Sequence, residues 1–260
     1  MPKSNGDKAD KKKTIPAAAA LGTIAFLAAW IVAARVVDSE IVLPSPLRVL
    51  QTVVELFPTR RFLEALGATF VRGIVSFAVS LPLGVAVGVA CGLSRAFRSA
   101  LSPLLTVIRA TPVLALILIL LVWLPSGAVP IFAAFLMAFP VVVSDVQQGV
   151  LSVDPGLLEM ARLFRLRRRD LVWSVYAPSV FPYLESSAYA TLGLVWKVVV
   201  AGEVLSQPLR ALGTGMQNAR VQLETAEVFA WASAGILLCA LSDFALRSSR
   251  ARKERNAVRA

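Results

Sequence analysis

Glu159-Met160-Ala161-Arg162-Leu163-Phe164-Arg165, followed after nine residues by Val175-Tyr176-Ala177-Pro178, lies in a polar island that runs from Ser152 to Glu185. Arg162, Arg165, Arg167, Arg168 and Arg169 all stand in it. The chain on either side is apolar enough to sit in a bilayer, so a long charged loop between two such blocks needs a cause. Its own residues predict a short helix. Asp154 is placed to cap the free amides of a helix with Pro155 at its first position. Leu157, Ala161 and Phe164 then recur at i, i+4 and i+7, on one face. A second piece, Leu171 to Tyr176, leads to Pro178 and Pro182, which are expected to end it before the next apolar block. A short amphipathic helix flanked by arginines suits docking in a groove of a soluble protein, or resting on lipid headgroups.

Working outward, the 260 residues are 57% hydrophobic and 17% charged, against roughly 45–50% and about 25% in soluble domains. Mean hydropathy is +0.71. This is a membrane composition, and the expected fold is all-α and polytopic. Histidine is absent, which removes histidine-based triads and most zinc sites, and no other catalytic constellation stands out. The chain is not expected to be an enzyme, nor to hold a metal. Cys91 and Cys239 fall inside apolar blocks and read as buried small hydrophobes.

Six crossings are expected. Residues 1–15 form a basic tail, and 16–37 a first span of about the 20 residues that cross the hydrocarbon. Residues 38–65 are mixed and polar, opening on Leu43-Pro44-Ser45-Pro46, with a surface helix near Leu47 to Phe57. A five-helix core then occupies 66–246: Leu66 to Leu93, rich in glycine and kinked at Pro82; about Leu101 to Leu124; Val129 to Val150, broken by Pro140; and, after the island at 152–185, Ser186 to Val204 and Val228 to Leu246. Gly84 and Gly88 make a small-xxx-small face for close helix approach. Between the last two blocks Gly213-Thr214-Gly215 opens a helix through Leu223, and a basic tail fills 247–260. With both termini cytoplasmic, eighteen lysines and arginines fall on the cytoplasmic side and six, Arg35, Arg48, Arg60, Arg61, Arg210 and Arg220, on the other. That bias follows the positive-inside rule, so the formal charge of +11 calls for anionic lipid and not nucleic acid.

The island resembles the EAA loop of ABC importer permeases, whose pattern is Glu-Ala-Ala-x-x-x-Gly-x9-Ile-x-Leu-Pro; Arg165 stands in place of the glycine and Ala177 in place of the leucine. Leu43-Pro44-Ser45-Pro46, Gly92-Leu93-Ser94-Arg95, Arg109-x-x-Pro112, Leu158-Glu159-Met160-Ala161-Arg162 and Ala201-Gly202-Glu203 extend the likeness to the nitrate, sulfonate and taurine type. The resemblance implies a type I importer permease (MetI-like) fold in the inner membrane. It implies an ATP-driven importer in which this chain forms the path of a small anion or a vitamin precursor. Two copies of the permease would work with two ATPase subunits, which hold the ATP and magnesium, and a periplasmic or lipoprotein solute-binding protein. Glu159, Met160, Ala161, Phe164, Arg165 and Pro178 would then couple to the ATPase. The chain has no Gly-rich Lys-Ser/Thr phosphate loop, so the energy has to come from a partner.

Arg72, Arg109, Asp145 and Lys197 lie in apolar blocks, where each costs roughly 2.5–3.5 kcal/mol at a helix centre. Lys197, Arg109 and Asp145 are candidates to line the path. Arg109 and Arg72 also read as anchors, and Lys197 as a member of an internal ion pair. An ion-gradient-driven transporter is the competing reading and would need inverted halves with a midplane ion site, of which the sequence has no clear sign. A structural membrane subunit would not need glycine-rich, kinked spans.

Overall fold

The computed structural model describes residues 6–259, with side chains from 21 to 245, so the side chains of both basic tails lie outside the described residues. Among the described residues the chain is helical throughout: α1 (Gly6–Val37), α2 (Pro46–Leu56), α3 (Arg60–Leu93), α4 (Arg95–Ala110), α5 (Val113–Trp123), α6 (Val129–Leu151), α7 (Pro155–Leu163), α8 (Arg168–Leu171), a π-helical turn Val172–Tyr176, α9 (Ala177–Ser206), α10 (Leu212–Val221) and α11 (Thr225–Arg259). Local chemistry sets several starts. The hydroxyls of Ser45, Thr59 and Ser94 accept from the amides of Arg48, Phe62 and Phe97, each capping a helix that begins at the next residue.

The core is built on α3, α6 and α9. Gly84, Gly88 and Gly92 lie one turn apart on α3 and meet Val142, Val146 and Val150 on α6 in the same order, so the two helices run parallel. A Cβ on Gly84 would sit 2.6 Å from the Val142 Cβ. The small-xxx-small face is thus a packing seam. α9 runs the other way: Gly202 rests against Pro130 at the start of α6, and Tyr183 against Gly149 near its end. α11 covers the bundle through Trp231, which stacks with Phe62, and through Ser242, whose hydroxyl accepts from the Trp196 indole N–H at 2.9 Å. At the end where α11 begins, the Trp30 indole donates to the Pro44 carbonyl at 3.1 Å and its ring lies against Phe229.

Three expectations change. The block from Leu101 to Leu124 is not one straight crossing: α4 and α5 are bent by 100°. Thr111 (φ −72°, ψ 123°) and Pro112 (φ −59°, ψ 133°) are both extended: proline has no N–H to donate and its ring disfavours the helical conformation in the residue before it. Since α3 and α6 are parallel, the chain between them has to return across the bundle, and the broken pair makes that return. Pro182 and Pro178 do not end a helix. The chain passes from the π turn straight into α9, the Ala177 N–H reaching back five residues to the Val172 carbonyl immediately before Pro178. This wider turn makes room for a ring with no N–H. Pro82 and Pro140 likewise sit inside continuous helices. Glu203, expected in a polar segment, is fully buried near the end of α9. Helices long and apolar enough to cross a membrane number four among the described residues, or five with the broken pair. The described apolar part of α1, Leu21–Val37, spans about 25 Å at 1.5 Å per residue.

Candidate functional site

The island folds as its capping signals require. The Asp154 carboxylate accepts from the Gly156 amide at 2.7 Å, with Pro155 opening α7. At the other end the Leu166 N–H returns to the Ala161 carbonyl at 3.0 Å and the Arg165 N–H to the Arg162 carbonyl at 3.0 Å. These bonds close a helix only if the residue between them is left-handed, and Arg165 has φ +50°. Glycine adopts that conformation freely, so the glycine of the EAA pattern has a backbone reason at this position, and arginine occupies the same turn under strain.

Ala161 and Val175 are buried. The rest of the apolar face is not used within the chain. Leu163 is 81% exposed and Phe164 74%, and Leu157, Met160 and Trp173 are exposed beside them. Glu159, Arg165 and Pro178 are exposed, as are Arg162, Arg167, Arg168 and Arg169. These apolar side chains and the arginines share one exposed segment, so they take no part in the folding core. The coupling candidates therefore gather on one structural unit, with Ala161 inside it and Pro178 opening α9.

The three path candidates do not gather. Arg109, at the last turn of α4, donates to the Pro140 carbonyl of α6 at 2.7 Å. Asp145 is half-buried on α6, and no ion pair among the described residues joins it to Lys197. Lys197 sits on α9 between the buried Trp196 and Val198, but its own side chain is exposed and makes no ion pair among the described residues.

The buried ion pair of this chain is elsewhere. Arg72 donates to Glu203 at 2.8 Å, with the glutamate fully buried and the arginine 14% exposed. Thr69 donates to the same carboxylate at 2.9 Å, and the Gly213 amide does so at 3.2 Å. The remaining lone pairs are used as well: Arg72 donates to the Arg210 carbonyl at 2.9 Å, and the Leu212 amide to the Thr69 hydroxyl at 3.1 Å. One carboxylate thereby joins α3, α9 and the start of α10. Arg72 is conspicuous in sequence as a charge inside an apolar block, but its partner lies 131 residues away. No local spacing reveals that.

The chain matches the family model for a binding-protein-dependent transport system inner membrane component over residues 80–255. It is 28% identical over 236 residues to the taurine transport system permease protein TauC of Escherichia coli, covering 88% of this chain and 86% of that one. It is 25% identical over 191 residues to the nitrate import permease protein NrtB of Synechococcus elongatus, covering 69% and 68%. Its fold matches a chain of the bacterial alginate ABC transporter, solved with an alginate pentasaccharide-bound periplasmic protein, at a TM-score of 0.64 and 15% identity, covering 95% of this chain and 96% of that one. The chain belongs to the family of inner membrane components of binding-protein-dependent transport systems: it is a multi-pass permease subunit of an ABC importer and not an enzyme, and ATP hydrolysis and solute capture belong to separate subunits.

Proposed function

We propose that two copies of this permease form the path of a small oxyanion-bearing solute of the sulfonate or nitrate class across the inner membrane. Both termini and the island face the cytoplasm, α1 supplies the sixth crossing, and two ATPase subunits, holding ATP and magnesium, grip the island. A solute-binding protein delivers from the other side. The observation that carries the reading is the face of Leu157, Met160, Leu163 and Phe164, which is fixed by helix caps and left uncovered at the EAA spacing. Relatives that are permeases for taurine and nitrate support the substrate class. Lys197 adds to it. An ammonium facing lipid at mid-span is costly, so its exposed position on α9 favours a water-filled seam between two copies.

The test is co-purification with the ATPase subunit from detergent. Wild type is expected to retain it. Glu159→Ala, Arg165→Glu and Leu163→Asp are expected to weaken association at least tenfold or to uncouple hydrolysis from transport. Failure of any ATPase to associate with the wild type sinks the assignment of the island as the coupling surface.

A further inference from the structure

Outward-placed arginines run against the positive-inside rule, yet three of the six in this chain meet in one place. Arg60 and Arg61 open α3, and Arg210 lies in the loop between α9 and α10. With Glu64, Thr214 and Asn218 they line a cavity of about 440 Å³ floored by Trp231. In the orientation proposed above the cavity opens on the outer side, and its place on the import route rests on that reading.

The charge in this cavity is unbalanced. Glu64 is the one carboxylate in the lining; it accepts from Arg60 Nε at 2.8 Å and forms an ion pair with Arg210 Nε at 3.2 Å. Three guanidiniums against one carboxylate leave a formal excess of two positive charges. Both contacts to Glu64 come from Nε, so the paired terminal amino groups of Arg60 and Arg210 remain for another acceptor. Arg61 is held over the Trp231 ring, 5.6 Å from its centroid. Glu227 accepts from the Trp231 indole N–H at 3.0 Å and lies outside the lining.

The frame is rigid. The Arg210 carbonyl is fixed by Arg72 of the buried ion pair, and the amides of Leu212 and Gly213 are fixed by Thr69 and Glu203. Gly215 lets α10 lie directly on Trp231, since a Cβ there would come 2.4 Å from the ring. Planar donors held on a fixed frame around a water-accessible hollow are the chemistry that recognises an oxyanion bidentately.

We propose that this cavity, built by Arg60, Arg61 and Arg210 around Glu64, binds a small oxyanion of the sulfonate, sulfate or phosphate-group class ahead of the membrane path. The oxyanion arrives as a free solute or as a lipid headgroup, and one experiment separates the two. The full chain is placed in phosphatidylcholine nanodiscs and titrated with radiolabelled sulfate, with ethanesulfonate as competitor. Saturable, competed binding is expected for the wild type and for Arg48→Gln, an arginine outside the lining. In Arg61→Gln/Arg210→Gln and in Arg210→Gln alone it is expected to weaken roughly tenfold or more. With phosphatidylglycerol added, persistence of sulfate binding identifies a free solute. Its loss, together with retention of that lipid by the wild type but not the double variant in native mass spectrometry, identifies a headgroup. Absence of saturable binding to the wild type, or equal binding by the double variant, overturns the assignment. The assay uses the permease alone, so ATPase co-purification remains a separate readout: if the ATPase associates and sulfate does not bind, the cavity assignment fails while the proposed function stands.

Discussion

Glu203 shows how one residue can hold several elements. A buried carboxylate is tolerated only when every lone pair is used, and here Arg72, Thr69 and the Gly213 amide use them. Removing one side of the pair leaves the other charge uncompensated, so Glu203→Leu is expected to destabilise the permease by about 3–5 kcal/mol. Arg72→Met with Glu203→Leu should recover most of that loss. A double-mutant cycle from unfolding in mixed micelles checks this, and additive losses would mean that the pair is not a unit. Arg165 presents the opposite case, a residue whose backbone is strained while its side chain is free. A non-glycine residue at φ +50° carries about 1 kcal/mol of left-handed strain, so Arg165→Gly should raise stability by about that amount. A thermal melt in detergent reads the change, and a fall would show that the guanidinium supports the turn. The same variant should weaken ATPase association if the arginine itself is a contact.

At the scale of elements, the seam between α3 and α6 is a sustained close approach, with three glycines of one helix against three valines of the other. Gly84→Ala puts a methyl group 2.6 Å from Val142, an overpacking cost of about 1–3 kcal/mol. Val142→Ala in the same chain should relieve it, which makes the rescue a specific measurement of this contact; without rescue, the cost of Gly84→Ala arises elsewhere. Much of this level was legible in the sequence. Apolar length located the long helices, Asp154 and Pro155 located α7, and the spacing of Gly84 and Gly88 located the seam, because each of these signals is local. Three features were not. Proline at 140, 178 and 182 reads as a break, but all three lie within or at the start of continuous helices, and a π turn takes up the lost bond before Pro178. Thr111-Pro112 has the same composition and does break the chain, since both residues are extended there and α5 starts afresh on the core. The ion pair of Arg72 with Glu203 and the convergence of Arg60, Arg61 and Arg210 depend on pairing across the bundle, which only the packed structure supplies. The capped helix of the island and the turn after it could be read because their signals are contiguous.

For the whole molecule, the open question is which face of the bundle meets a second copy. Lys197 bears on it directly. On α9 its neighbours Trp196 and Val198 are buried in the core while its ammonium is exposed, so within one copy it would face hydrocarbon at a cost of roughly 2.5–3.5 kcal/mol. A second copy placed against this face would turn that cost into a cation lining a wet seam, suited to a passing oxyanion. Lys197→Cys, in a chain with Cys91 and Cys239 replaced by serine and alanine, is the probe. In the assembled transporter a charged, water-soluble methanethiosulfonate is expected to modify it, faster in one nucleotide state of the ATPase than in the other. A position such as Val122, exposed on α5 with no charge beside it, should stay unmodified after the same change to cysteine. Modification of neither position would place Lys197 against lipid or protein and remove it from the path. Modification at a rate that ignores nucleotide would keep it in water but away from the moving gate, because alternating access requires that the wetting of a path residue follow the state of the motor that opens it.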